Sequence, residues 1–323
     1  MEQITIVVPT YNRPSFLKKF IFFLDEFKIT CPIIVADGSD DPELMLNRTI
    51  IKEHNIIHNN QIIHWIDKSF FIERINNAVK LVKTNYCKIN SDDDFFSREF
   101  ILNSIVKLNN DKNLVAITGY QFSFHNKFKY NFNRPIEVNS ENPLERIIRN
   151  KSNWHPWSVY RTNILYLILS KSTIFIGKLS KTSELTNWIK IRYFGFYLKL
   201  YTSLFGKIKS LRYCENVTVY HENNWGKKHS NFSFDEILLH DSFIIFLKDI
   251  FHSIKADFNL SSAKSSALIL ATLYYDKQVE KNKTIFSRIS DKIEFFLKMK
   301  FNFIYFIIYD YKFIKKIIKF IQG

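Results

Sequence analysis

Read from the amino terminus, the chain alternates short apolar runs with longer stretches whose apolar residues recur every three or four positions. Ile4-Thr5-Ile6-Val7-Val8 is almost wholly apolar and stops at Pro9, as expected for a strand buried on both faces. Ser15 to Phe27 opens after Pro14 and sets Phe16, Leu17, Phe20, Phe23, Leu24 and Phe27 at helical spacing. Further strands are predicted at Pro32 to Ala36, Gln61 to Trp65, Tyr86 to Ile89 and Leu114 to Thr118. Helices are predicted between them at Glu43 to His54, Phe71 to Lys83 and Arg98 to Leu108. This rhythm predicts βαβ units: an α/β protein with a mostly parallel sheet covered on both faces.

The pattern changes after about residue 120. From there to about 230 it is mixed and aromatic-rich, with Trp154, Trp157, Trp188 and Trp225. From about Ser233 helical patterns dominate, through Leu238 to Phe251 and Ala263 to Tyr275, and no internal repeat is evident. With 46% hydrophobic residues and 7 Gly and 7 Pro among 323, disordered and low-complexity classes are excluded. Three cysteines, Cys31, Cys87 and Cys214, without a CxxC pair, argue against a disulfide framework and for a reducing compartment. No leader-like or eighteen-residue apolar stretch stands out, so a cytoplasmic, non-spanning protein is expected.

The formal charge of +15 is compatible with nucleic acid, an anionic membrane or a phosphorylated substrate, and by itself selects none. Lys281 to Gly323 holds 10 Lys/Arg and 3 acids, so 10 minus 3, or +7, of the excess lies there. In that stretch Phe295, Phe296, Phe303, Ile304, Ile307, Ile308, Ile314, Ile317 and Ile318 recur at helical spacing among lysines. Such a basic amphipathic pattern suits an anionic membrane surface, and equally suits a terminal helix packing its apolar face on the domain. No recognisable nucleic-acid motif is present, so nucleic acid is not an expected partner.

Ligands of parallel α/β sheets sit beyond the carboxyl ends of the strands. Here those ends carry Pro9-Thr10-Tyr11-Asn12-Arg13, Asp37-Gly38-Ser39 and Asp92-Asp93-Asp94. Three adjacent carboxylates repel one another, which points to a hard divalent ion, Mg²⁺ or Mn²⁺, with substrate phosphates completing its shell. An acidic turn capping the next helix is the competing explanation. Asp37 before a glycine can accept a base N–H or a sugar hydroxyl, or can simply close an Asx-type turn.

Taken together, Thr5 to Pro14, Val35-Ala36-Asp37-Gly38-Ser39 and Asp92-Asp93-Asp94 resemble glycosyltransferase family 2 and its GT-A fold. The stretch from Lys83-Thr84-Asn85-Tyr86 through Asp94-Phe95 to Thr118-Gly119-Tyr120 is similar to the glycosyltransferase domain of bacterial surface-polysaccharide enzymes. The likeness is good over about residues 3 to 120 and patchy to about 225. It implies a GT-A (nucleotide-diphospho-sugar transferase) domain over 1–230, with a nucleotide-sugar-binding half at about 1–120 and an acceptor half at about 121–230. A helical C-terminal region with a basic amphipathic tail would occupy 231–323.

The resemblance also implies residue roles. Pro9 and Tyr11 would line the nucleotide and Asp37 would bind the base. Asn77 and Arg74, on the helix leading to the Asp motif, would serve the donor, Arg74 at its phosphates. Asp92, Asp93 and Asp94 would form the Asp-x-Asp signature, with Asp92 and Asp94 on Mn²⁺ or Mg²⁺ and His221 a third ligand. Ala36 departs from the second Asp of many relatives, which bears on nucleotide recognition. An inverting transfer needs a carboxylate to take the acceptor hydroxyl's proton. Glu184, in Thr182-Ser183-Glu184-Leu185 before Gly206-Lys207, resembles the residue with that role; a helix-start Glu favoured by the macrodipole is the alternative. His155, before Pro156-Trp157, stands where an acceptor pocket could form.

The function implied is metal-dependent transfer from a nucleotide sugar, a UDP-sugar first, to a glycan or lipid-linked glycan such as a capsule or O-antigen chain. Work at the inner face of the cytoplasmic membrane would use the basic tail. The alternatives are a basic nucleic-acid-binding protein and a membrane-surface scaffold with a degenerate transferase domain.

Overall fold

Four parallel strands form the first half of the sheet: β1 (Ile4–Thr10), β2 (Ile33–Asp37), β3 (Ile62–Ile66) and β4 (Tyr86–Ile89). Their order is β3-β2-β1-β4, with Ile33 opposite both Ile6 and Ile62, and Ile4 opposite Tyr86. The computed structural model describes residues 1–58, 61–126, 129–133, 137–149, 156–179, 184–219, 242–262, 264–266, 268–269, 313, 316–317 and 319–320. The strand expected to stop at Pro9 instead continues through it to Thr10. The reason is local: β1 pairs with β4 only as far as Val7, so at Pro9 it has a neighbour on one side only. A residue lacking an N–H is tolerated at such an edge.

Helices α1 (Pro14–Glu26), α2 (Glu43–Ile57) and α3 (Phe71–Val79) connect these strands, and α4 (Arg98–Asn110) follows them in the chain. α1 starts on Pro14, whose missing N–H is no loss in a first turn, and buries Leu17, Phe20, Ile21, Phe23 and Leu24. α4 is capped by Ser97, whose Oγ accepts the Phe100 N–H. α3 ends at Val79 rather than near Lys83, because Leu81 and Val82 tighten to three-residue turns on Ala78 and Val79 before β4.

The second half contributes β5 (Asp94–Phe95), β6 (Leu114–Asn126), β7 (Lys129–Asn133), α5 (Pro143–Arg149), β8 (Val159–Arg161), α6 (Thr162–Gly177), α7 (Glu184–Phe205), β9 (Lys207–Val219) and α8 (Ser242–Phe258). The sheet continues from β4 through β8, β6 and β9 to β5, and β7 pairs with β6. Strands β1–β4, β6 and β9 run one way, and β5, β7 and β8 run against them. The sheet is thus mostly parallel in direction, on an α/β architecture.

Side-chain alternation along β1 divides the interior in two. Ile4, Ile6 and Val8 join a core with α1, α4 and Ile51 of α2, whereas Val7 joins a core with α3, α6, α7 and α8. Tyr197 and Tyr201 of α7 lie in the second core with Phe246 and Ile250 of α8, and Tyr193 stacks on Phe246 at 4.2 Å. In the basic tail, the described positions lie on the first core. Ile317 is buried, Phe320 stacks on Phe22 at 5.6 Å, and Lys316 Nζ meets Glu26 Oε1 at 2.8 Å. Among the described residues no helix is long and apolar enough to cross a membrane.

Candidate active site

The carboxyl ends of β1, β2 and β4 converge with the start of β5, and each brings polar side chains into one cleft. Asn12 adopts a left-handed backbone (φ 53°), which asparagine tolerates better than most residues, and its N–H then reaches Ser39 Oγ at 2.8 Å. Its side-chain Oδ1 accepts the Asp40 N–H at 2.8 Å, and the Gly38 N–H donates to the Thr10 carbonyl at 3.1 Å. The turns after β1 and β2 are therefore tied together. Tyr11 stands half out of this platform and donates its hydroxyl to Asp40. Pro9 lies buried within β1.

Asp37, fully buried, anchors the platform from below. Its Oδ1 accepts the Ser39 N–H at 2.8 Å, and its Oδ2 is 3.0 Å from Asn47 Nδ2 and 2.8 Å from His64 Nε2. Burial by itself would raise its pKa, but the hydrogen bonds from His64, Ser39 and Asn47 outweigh it and leave the carboxyl below its ordinary value. Arg74 crosses above Gly38: a Cβ there would sit 1.4 Å from Arg74 Nη1, so only glycine leaves room for this guanidinium. Arg74 is 5% exposed, its pKa is lowered by burial, and its buried Nε has no hydrogen-bond partner among the described residues. Asn77 turns to Asp67, donating to Oδ2 at 2.8 Å, and so braces the loop after β3.

The three aspartates diverge. Asp93 turns to Arg13, with Oδ2 2.5 Å from Nη2. Asp92 takes the Thr10 hydroxyl on Oδ2 at 2.7 Å, and its Oδ1 faces Arg13 Nη1 at 3.0 Å. Asp94 opens β5 opposite Thr218 of β9 and receives hydrogen bonds from Thr218 and Asn216, yet its Oδ1 is buried without a partner among the described residues. Burial, then the Asp93 charge, pushes Asp94 up to about 7. Asp92 also rises to about 7: burial and Asp93 push it up more than Arg13 and Thr10 pull it down. Two buried carboxyls held this high, one with an orphaned oxygen, fit a hard cation whose charge would offset their burial. Asn90 fixes the turn by donating from Nδ2 to the Asp94 carbonyl at 2.9 Å.

Next to this cleft lies a charge pair that the sequence does not advertise. Lys88 of β4 is fully buried, donates to the Trp157 carbonyl, and feels both Glu215 and Asp94; burial lowers its pKa to about 8. Glu215 of β9 accepts from Thr118 Oγ1 (2.9 Å), Gly119 N (3.1 Å), Gln121 Nε2 (3.2 Å) and Ser158 Oγ (2.8 Å). A Cβ on Gly119 would lie 2.5 Å from the Tyr213 carbonyl, so β6 approaches β9 this closely only through glycine.

Of the residues singled out in the sequence, Pro9, Tyr11, Asp37, Arg74, Asp92, Asp93 and Asp94 belong to this one cleft, and Asn77 acts through Asp67. Glu184 is the first residue of α7, but its side chain lies outside the described part, as do His221 and His155. Sequence reasoning missed Thr10 and Arg13 as partners of the aspartates, although both stand in a quoted motif. It also missed Asn47, His64, Lys88, Glu215, Asn216 and Thr218, which carry no local signature.

The model of the family described as Glycosyl transferase family 2 matches residues 5–169, just over half of the 323 residues. No curated protein matches the sequence. Among solved structures, a crystal structure of S. aureus TarS 1-349 aligns with TM-score 0.54 at 15% identity, covering 88% of this chain and 74% of that one. The same TarS fragment in complex with UDP-GlcNAc gives TM-score 0.55 at 16% identity, covering 85% and 72%. A longer S. aureus TarS structure aligns at TM-score 0.54 and 15% identity, over 84% of this chain but 43% of that one.

Proposed function

The chain belongs to glycosyl transferase family 2 and is a glycosyltransferase with a GT-A fold, and from that premise we propose that it transfers a sugar from a UDP-sugar to a hydroxyl of a bacterial surface glycan. The observation that carries the reading is the gathering of Asp37, Arg74, Asp92 and Asp94 where the parallel strands end, with buried polar atoms on Arg74 and Asp94 left without partners among the described residues. UDP-GlcNAc bound to the TarS fragment supports a UDP-sugar as the donor class, by likeness of fold.

In this reading the nucleotide lies over the turns after β1 and β2, between Tyr11 and the Asp37 platform. Arg74 offers a fixed positive charge to the diphosphate across Gly38. Asp92 and Asp94 would hold Mn²⁺ or Mg²⁺, which offsets the negative charge developing on the departing nucleoside diphosphate. Glu184 accepts the proton of the acceptor hydroxyl as its oxygen bonds to the anomeric carbon and the bond to the diphosphate breaks, with inversion. The acceptor is a capsule, O-antigen or other lipid-linked glycan, reached at the inner face of the membrane.

Asp94→Ala tests the reading directly. It should lower Mn²⁺-dependent UDP-sugar turnover by about a thousandfold, roughly 4 kcal/mol of barrier, while circular dichroism and cooperative unfolding are kept. Turnover at the parent rate would show that the aspartate cluster is not the metal site. A melting-temperature panel of nucleotide sugars with Mn²⁺ identifies the donor, and failure of every one to stabilise the protein would favour a degenerate domain.

A further inference from the structure

The loops that close the cleft follow the carboxyl ends of the strands, so α1 and α2 run back and end at the opposite edge of the sheet. There, three side chains meet that play no part in the donor site. His54 on the last turn of α2 and His58, the residue that caps its C-terminus, stand four residues apart, and their rings stack at 4.3 Å. Asp25, on the last turn of α1, faces both rings. Its Oδ2 is 3.5 Å from His54 Nδ1 and its Oδ1 is 3.3 Å from His58 Nε2.

These spacings are long for hydrogen bonds, whose heavy atoms usually approach to about 2.7–3.2 Å. Each is close to the edge of a coordination tetrahedron instead, and because the two contacts use different Asp25 oxygens, a shared ion takes one of them and draws the other ring in. An ion with bonds of about 2.0–2.1 Å to imidazole nitrogen and carboxylate oxygen holds neighbouring ligand atoms about 3.3–3.4 Å apart. All three candidate ligand atoms lie within 4.8 Å of one another, and turning the half-exposed His58 ring would close the remaining edge. The His54 side chain is 3% exposed, and its Nε2 is buried without a well-formed hydrogen bond among the described residues. With Nδ1 on an ion, Nε2 carries the proton and faces the neighbouring Gln61, whose amide nitrogen is already fixed on the Ile29 and Cys31 carbonyls.

We propose that Asp25, His54 and His58 form a second metal site, selective for a zinc-class divalent ion and separate from the donor cleft. Two imidazoles and one carboxylate suit borderline ions such as Zn²⁺ better than Mg²⁺, which prefers oxygen. The fourth position is left to water. The ion would bolt the end of α1 to the end of α2, and its binding energy would add to folding, because the unfolded chain has no such site.

Co²⁺ and Zn²⁺ added to EDTA-stripped full-length protein are the probes. The parent should bind one Co²⁺ per chain with the absorption bands of tetrahedral coordination, and Zn²⁺ should displace it and raise the melting temperature. Asp94→Ala should retain this site, whereas His58→Ala should lose the bands, the zinc-induced shift and at least about tenfold in affinity. His58→Ala should keep Mn²⁺-dependent transfer. Asp25→Asn, which preserves side-chain volume, repeats the test should the histidine variant fold poorly. A parent without tetrahedral bands, or with bands that survive in both variants, overturns the site.

Discussion

Glu215 and Asp94 lie on adjacent strands, 0% and 2% exposed, and meet burial in opposite ways. Glu215 accepts hydrogen bonds from four donors drawn from β6, β9's neighbour, and from Ser158, and Lys88 lies close enough to add its charge. Asp94 keeps one oxygen with no partner among the described residues and is pushed up to about 7 by burial. A buried carboxylate is costly unless it is matched, so a matched one reads as structure and an unmatched one as a place for something not yet bound. Burial alone does not separate the two. The accounting of partners does.

Glu215→Ala would break that contrast most severely. It strands four donors and the Lys88 ammonium, and should cost about 3–5 kcal/mol in urea unfolding, against little change for Asp94→Ala. Equal stability for the two variants would remove the distinction between them. A smaller effect is expected at Gly38→Ala, because the new methyl displaces Arg74 without touching Asp94. UDP-sugar affinity should fall about tenfold, about 1.4 kcal/mol, at nearly constant folding stability. Unchanged affinity would take Arg74 out of the donor site.

The gentlest probe is pH. Asp92 and Asp94 are raised to about 7 in the folded protein, whereas in the unfolded chain they titrate at the ordinary 3.8. Between those values the folded state binds more protons than the unfolded one, so this pair's contribution to metal-free stability falls as pH rises. A bound cation requires both groups ionised. The melting-temperature gain from saturating Mn²⁺ should therefore be larger at about pH 8 than at about pH 6, by about 2–4 °C per kcal/mol gained. A gain independent of pH would place the ion elsewhere.

How far the sequence could be read follows from the range of each interaction. β1 to β4 and their helices were legible because period-two and period-3.6 patterns report burial locally. The strand through Pro9 was misjudged because the missing β4 neighbour that makes proline harmless lies some eighty residues away. Asp37 and the Asp92-Asp93-Asp94 run were legible as strand-end acids, but their division of labour was not. Arg13 draws Asp93 and one side of Asp92 away, and Asn216 and Thr218 come from a strand that is more than a hundred residues distant.

The sequence by itself therefore determined the alternating α/β order, the ends of strands where polar chemistry collects, and the acids that stand there. Those follow from burial and turn chemistry, which act over a few residues. Only the tertiary structure decided which of those acids are satisfied. Partners for a buried charge come from wherever the fold brings a donor, as Thr118, Ser158 and Lys88 come to Glu215, and as no donor comes to Asp94 Oδ1 among the described residues.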